Sequence, residues 1–262
     1  MKIFKISNYL DIRDFSHKFI SNFESPLENS VRLSNQILLK KITVNDKILE
    51  VGCGFNSYFK NNFKFQVNWH GIDVQLIDAR GRKTIASKIG SVDNIPYKNN
   101  YFDYVLSNQS IEHWHEYGVD PKDGILEIYR TLKFNGKLFI NFPFFLHGHP
   151  IFVRGDLKSV LSFFPKNQWR INSVNLYYDS ENLYYKGWRR CGFPDFYIKR
   201  YSECKSSFVI EIEAQKISEI HLNKNIKKHI NFISPKRRSA LYLTLIHGID
   251  VFIWKIFRKI IK

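Results

Sequence analysis

The stretch Ile48–Phe59, ILEVGCGFNSYF, constrains this chain more than any other. An apolar run ends in Glu50, and Gly52 and Gly54 follow before a helix-like segment. A chain that leaves a buried strand and enters a helix through two glycines turns sharply, with its backbone close to whatever lies against it. By itself the pair fits a structural turn as well as a ligand-binding one. No Gly-Lys-Ser/Thr follows, which excludes a phosphate loop, and Ser57 stands where a dinucleotide fingerprint has its third glycine.

The rhythm around this turn predicts the architecture. Strand-like runs occur at Lys47–Val51, Val67–Asp73, Thr84–Ser91, Tyr101–Ser107 and Lys137–Phe142. Amphipathic helices are expected over Pro26–Ile42 and Pro121–Leu132, the second closed by Asn135-Gly136. Near-continuous apolar strands alternating with helices imply a parallel sheet covered on both faces. After Pro143 a loop-rich aromatic stretch runs to about Tyr178, followed by a helix over Asp179–Cys191. Strands at Phe196–Tyr201 and Ser207–Gln215 are read as a terminal antiparallel pair. The expected fold class is therefore a doubly wound, Rossmann-like α/β domain over residues 1–215, with a helical tail over 216–262.

Two further acids complete the pattern. Asp73 ends the second strand, where a carboxylate can accept both hydroxyls of a ribose. Asp93 follows the third, where it can accept from an exocyclic adenine amine, with Val92 and Ile95 flanking the ring. Three carboxylates at consecutive strand ends suit a ligand with an amine, a ribose and an adenine, and would repel a pyrophosphate. The motifs E-V-G-C-G, G-I-D (71–73), D-N-I-P-Y (93–97), F-D-Y-V-L-S-N (102–108), I-E-H (111–113) and the run Glu127–Ile140 together resemble the class I S-adenosylmethionine-dependent methyltransferases, in particular their small-molecule, methyltransferase-11-like group. The resemblance covers Ile48 to about Phe144. It implies a seven-stranded sheet and S-adenosylmethionine as cofactor. Glu50, Gly52 and Gly54 would cradle its methionine part, Asp73 the ribose and Asp93 with Val92 the adenine, with Asn108 lining the methyl-donor pocket. Many members carry a third glycine where this chain has Asn56. Asparagine tolerates a left-handed backbone better than most residues, so the turn is expected to survive.

Methyl transfer to a hydroxyl needs a base, and histidines after the fourth and fifth strands are the candidates. His147 and His149 (HGHP) are expected on a substrate loop, because catalytic groups concentrate at strand C-termini. His113 and His115 (EHWH) begin the segment after the fourth strand, and His113 reads as a helix-start residue packing beneath the pocket. One-residue separations within each pair define no ligand geometry, and no metal site is expected. The aromatic stretch Phe142–Tyr178 is either a substrate cap or a satellite core.

Net charge bears on function only through where it lies along the chain. The chain carries 40 Lys+Arg against 24 Asp+Glu, a formal +16 over 262 residues. Eleven basic and two acidic residues fall in 216–262, a net +9 in the tail alone. There Leu241, Leu245, Ile249, Phe252, Ile256 and Ile260 share one helical face between basic ends. Residues 236–262 are therefore expected to contact an anionic bilayer, with a docking helix or homodimer contact as the alternative. The remaining charge fits a Lys-rich background and implies no nucleic acid. Neither the double proline of amino-methylating DNA enzymes after the fourth strand nor an RNA-binding appendage is present, so nucleic-acid methylation stands second, with a non-catalytic binding protein behind it. Three scattered cysteines exclude a disulfide scaffold and fit a reducing compartment. Asp11, Arg13 and Asp14 break any signal-peptide core. A cytoplasmic enzyme, peripheral on the inner face of the membrane, is expected, acting on a small-molecule or glycan-type acceptor. A sugar hydroxyl or phosphate-derived group of surface-polysaccharide biosynthesis is the specific expectation.

Overall fold

Parallel strands made of continuous apolar runs need cover on both faces, and helices supply it here. The computed structural model of the chain describes residues 2–5, 27–63, 67–77, 82–144, 149–153, 155–178 and 208–219. In chain order these form β1 (Lys2–Lys5), α1 (Leu27–Leu39), β2 (Lys47–Val51), α2 (Tyr58–Asn61), β3 (Asn68–Asp73), β4 (Lys88–Ile89) and β5 (Phe102–Asn108). A 3-10 turn (Ile111–Tyr117) leads to α3 (Pro121–Thr131), β6 (Leu132–Phe144), α4 (Pro150–Val153), α5 (Leu157–Leu161), β7 (Trp169–Tyr178) and β8 (Phe208–Lys216).

The sheet runs in the order β1-β7-β8-β6-β5-β2-β3-β4. Pairing is parallel from β6 through to β4 and antiparallel for β6–β8, β7–β8 and β1–β7. Strands β2 to β8 make the expected seven-stranded, doubly wound plan, and β1 adds an edge strand that the sequence pattern does not announce. On one face Leu49, Val51, Ile72, Val105, Leu138 and Ile140 pack against Ile125 and Ile128 of α3 and extend to Phe152, Phe164 and Trp169. On the other, Ile48, Leu106 and Phe139 meet Leu38 within α1, Ile42 after it, and Phe59 of α2. Alternate residues of one strand thus feed opposite cores. Each fully buried aliphatic or phenyl side chain contributes roughly 2 kcal/mol.

Local chemistry sets the element ends. Asp120 caps α3, its carboxylate accepting from the amide of Lys122 at 2.7 Å, with Pro121 in the first turn. The helix stops at Thr131, earlier than expected, because Leu132 is already extended and paired with Phe102. Asn135, in the left-handed region at φ 64°, and Gly136 instead form an irregularity within β6, where the register with β5 shifts between Phe102 and Tyr104. The expected strand Thr84–Ser91 shrinks to Lys88–Ile89, since the amides of Thr84 and Ile85 are bonded to the carbonyls of Leu76 and Gly54. The expected partner of β8, Phe196–Tyr201, lies outside the described residues, as does the helix expected over Asp179–Cys191. In the described chain β8 pairs with β7, which falls in the stretch predicted to be loop-rich. A register shift between Ile171 and Ser173 slips the apolar alternation there and hides the strand.

Ile217–Glu219 continue past β8 in contact with the body. Tyr129 Oη donates to the Ser218 carbonyl at 2.6 Å and Asn100 Nδ2 to Glu219 at 3.0 Å. The basic tail beyond them, including all of 236–262, lies outside the described residues. Among the described residues no helix is long and apolar enough to cross a membrane.

Candidate active site

The glycine turn forms where β2 ends, and β3 ties it down. Gly52 and Cys53 both donate their amides to the Ile72 carbonyl, at 2.9 and 3.2 Å. The Gly54 amide donates to Asp73 Oδ2 at 2.9 Å, while Asp73 Oδ1 accepts from Gln75 N at 3.3 Å. The Gly54 carbonyl accepts from Thr84 Oγ1 at 2.6 Å and from Ile85 N at 2.9 Å. Asp73 therefore stands half-buried at the end of β3 as a fixed carboxylate beside the turn.

Both glycines have positive φ, +69° at Gly52 and +61° at Gly54, but they serve different neighbours. A Cβ on Gly52 would lie 2.3 Å from Ser110 Oγ and 2.9 Å from Ser110 Cβ, so this glycine makes room for the chain's own loop after β5. A Cβ on Gly54 would meet nothing within 4 Å. Gly54 is the open side of the turn. Asn56 is not in the left-handed region; its Oδ1 accepts from Asn61 Nδ2 at 2.7 Å, so the turn never needs the third glycine.

Glu50 supports this turn from behind. It is buried, with Ser57 Oγ and Trp69 Nε1 both donating to Oε2, the latter at 3.1 Å, and with the Asn108 amide also bonded to it. Burial pushes its carboxyl up to about 7 against the opposing pull of those hydrogen bonds. Val92 and Ile95, expected to flank a ring, are instead core residues at 5% and 2% exposure; Val92 packs beside Gly124, whose missing side chain also admits Trp114. Asp93 is exposed on the turn after β4.

The other half of the cleft is built by the exits of β5 and β6. Asn108 ends β5, Gln109 is left-handed at φ 48°, and Ser110 Oγ accepts from Trp114 Nε1 at 2.9 Å. The 3-10 turn then buries Ile111, Glu112 and Trp114. Burial pushes the Glu112 carboxyl to about 7. Its main-chain carbonyl accepts from His149 N at 2.8 Å, which joins the two loops. The rings of His115 and His149 meet edge to face at 5.2 Å between centroids and 81°.

The histidines divide unexpectedly. His149 Nδ1 accepts from the amide of Ile151 at 3.3 Å, and its carbonyl accepts from Phe152 N, so it caps α4. A neutral ring used this way carries its proton on Nε2 and is a poor base. His147 lies outside the described residues. His113 Nδ1 is bonded to Glu116 Oε1 at 2.6 Å. His115 has a buried Nδ1 with no hydrogen-bond partner among the described residues, and burial lowers its pKa. The sequence offers His115 only as one of four histidines after the fourth and fifth strands, because the two loops meet only in three dimensions. Ser57, Trp69, Ser110 and Asn141 were missed for the same reason. Among the described residues no group of three His, Cys, Asp or Glu side chains could hold a metal ion.

Comparison with known proteins adds the following. Residues 49–140 match the family model described as a methyltransferase domain. The protein YafE of Escherichia coli, itself uncharacterised, is 33% identical over 89 residues, covering 33% of this chain and 41% of that protein. The chloroplastic 2-methyl-6-phytyl-1,4-hydroquinone methyltransferase 1 of Oryza sativa is 32% identical over 111 residues, 42% of this chain and 27% of that one. The chain thus spans less than half the length of either relative. The crystal structure of YcgJ from Bacillus subtilis superposes with a TM-score of 0.49 at 15% identity, over 71% of this chain and 99% of that one.

Proposed function

We propose that the chain, whose residues 49–140 match a methyltransferase-domain model, is a class I, S-adenosylmethionine-dependent methyltransferase that transfers a methyl group to a hydroxyl of a small-molecule or glycan-type acceptor. The observation that carries the donor half is Gly54: an open, positive-φ glycine whose amide is bonded to the Asp73 carboxylate. The residues fit the donor. A carboxylate held at a strand end suits ribose hydroxyls and a cationic ligand, and the backbone at Gly54 is free for close approach. Gly54, Asp73, Asp93 and Asn108 would hold it, with Glu50 bracing the turn from beneath.

When bound, S-adenosylmethionine supplies an electrophilic methyl on a sulfonium. What remains for the chain is to align the acceptor, exclude water and take a proton. His115 is the residue for the proton. Its imidazole is kept neutral by burial, and Nδ1 has no competing hydrogen bond among the described residues. His149 orders the facing loop. The basic amphipathic segment 236–262 would hold the enzyme at an anionic membrane, where a surface-polysaccharide precursor is presented.

Calorimetry with S-adenosylhomocysteine and with NAD tests the donor; NAD binding with no S-adenosylhomocysteine binding overturns the reading. A labelled-donor screen of nucleotide sugars, glycans, prenylated quinols and RNA tests the acceptor, and turnover of the quinols or RNA alone rules out the glycan. His115→Asn should lower methyl transfer on the order of a hundredfold with donor affinity unchanged. Full activity in that variant removes His115 from the mechanism. Removing 236–262 should abolish sedimentation with anionic vesicles.

A further inference from the structure

At one height, the sheet carries polar residues where its neighbours are apolar. Asn108 on β5 is the register partner of Asn141 on β6, Asn141 of Glu211 on β8, and Glu211 of Asn175 on β7. Their side chains are bonded across the strands and into α1. Asn141 Nδ2 donates to Asn108 Oδ1 at 2.6 Å and to Ser34 Oγ at 3.4 Å. Ser34 Oγ in turn donates to Glu211 Oε2, and Asn175 Nδ2 to Glu211 Oε1 at 3.0 Å. At the other end the Asn108 amide, its oxygen taken by Asn141, turns its nitrogen to the Glu50 carboxyl. The row therefore runs from β7 to the underside of the glycine turn.

Stability does not demand such a row. Well-packed apolar side chains at these positions would serve the core as well or better, whereas a satisfied buried network fixes one arrangement. The arrangement fixed here is the exit of β5. Asn141 Oδ1 accepts from Gln109 Nε2 at 2.9 Å and from Gln109 N at 3.2 Å, and the Asn141 carbonyl accepts from Gln109 N at 2.9 Å. Gln109 is thereby held at φ 48°, and the next residue, Ser110, lies against Gly52. Asn141 itself is 1% exposed and reaches the cleft only through Asn108 and Gln109.

We propose that Asn141 is a positioning residue of the donor site: the hub of a transverse polar row that sets the exit of β5 against the glycine turn. This rests on the reading of that cleft as the site of S-adenosylmethionine. Asn141 contributes the geometry of Asn108 and Ser110, and Ser34 contributes the anchorage of the row to α1.

The test uses the full chain with Asn141→Leu, Asn141→Asp and, as the structural control, Ile128→Ala. Calorimetry with S-adenosylhomocysteine and hydrogen exchange over 106–112 are the two readouts, with thermal unfolding as the measure of a purely structural loss. Asn141→Leu should weaken binding at least tenfold and accelerate exchange at the β5 exit. Asn141→Asp keeps the acceptor for Gln109 and loses the donor to Asn108, and should fall between Asn141→Leu and wild type. Ile128→Ala, in the core on the opposite face of the sheet, should lower the unfolding temperature yet change affinity less than twofold. Unchanged exchange at 106–112 in both Asn141 variants overturns the proposal. So does affinity that tracks unfolding temperature across all three variants. If the wild type does not bind S-adenosylhomocysteine, the donor reading fails by itself; exchange then decides the row, faster exchange confined to the Asn141 variants upholding its positioning role and equal exchange ending it.

Discussion

The two faces of the sheet are built on different principles. The face under α3 is predominantly apolar, from Leu49 and Val105 to Ile128, Phe152 and Trp169, with Ser107 and Glu127 as isolated buried polar residues. The face under α1 begins the same way, with Ile48, Leu106 and Phe139, but at the C-terminal strand ends it turns into Glu50, Asn108, Asn141 and Glu211. Burial is near complete on both. The first therefore supplies stability through area removed from water, and the second supplies fixed directions through hydrogen bonds at the end of the sheet where ligands bind.

The sharpest way to break this contrast is a cavity on the apolar face. Ile128→Ala, fully buried in α3, should cost about 3–4 kcal/mol, read as a lower denaturation midpoint, with the folded fraction keeping its affinity for S-adenosylhomocysteine. A loss of affinity at matched stability would show that the faces are not separable. Next in size, Gly52→Ala adds a Cβ 2.3 Å from Ser110 Oγ in a left-handed backbone, and should destabilise by roughly 2 kcal/mol; Ser110→Gly in the same chain should recover part of it. An undiminished melting temperature for Gly52→Ala would contradict the packing of Ser110 on the turn. Asp73→Ala should weaken the donor between ten- and a hundredfold, about 1.4–2.7 kcal/mol, because it removes both a ligand-facing carboxylate and the brace on Gly54.

The fourth prediction concerns pH. Glu50 titrates near 7 when folded and near 4.5 otherwise, so the native state keeps a proton that the unfolded chain has released. Stability from this group is complete below about 4.5 and is lost as pH rises through 7. The unfolding temperature should therefore fall between pH 5 and pH 8, Glu50 and the likewise raised Glu112 each contributing about 1–3 kcal/mol, and Glu50→Gln should remove about half of that slope. A slope identical in the variant would place the titration elsewhere. Smallest of all, Lys41→Met breaks a rim ion pair with Glu213 at 2.6 Å; the lysine is well exposed, and the change should stay within about 0.5 kcal/mol.

Much of this was legible beforehand, for identifiable reasons. Strands β2, β3 and β5 are apolar runs bounded by turn residues, and their pairing partners are close in sequence. α3 announces itself through Asp120, Pro121 and the spacing of Ile125 and Ile128. Strand β7 was hidden because its bulge breaks the period of two, and β4 because only Lys88 and Ile89 pair with β3, the Ile85 amide upstream being bonded to the Gly54 carbonyl. His149 looked like a base because its sequence neighbours do not reveal that Ile151 N holds its Nδ1.

By itself the sequence determined the glycine turn, the acid at each of the first strand ends and the alternation of strand and helix, because each is a local requirement of backbone and burial. Only the tertiary structure decided which glycine faces open space and which accommodates Ser110, that His115 and His149 meet across two loops, and that Ser34, Asn108, Asn141 and Glu211 are one network. Those residues lie as far apart as 177 positions in the chain. Hydrogen bonds act over about 3 Å of space, so no spacing along the sequence can report them.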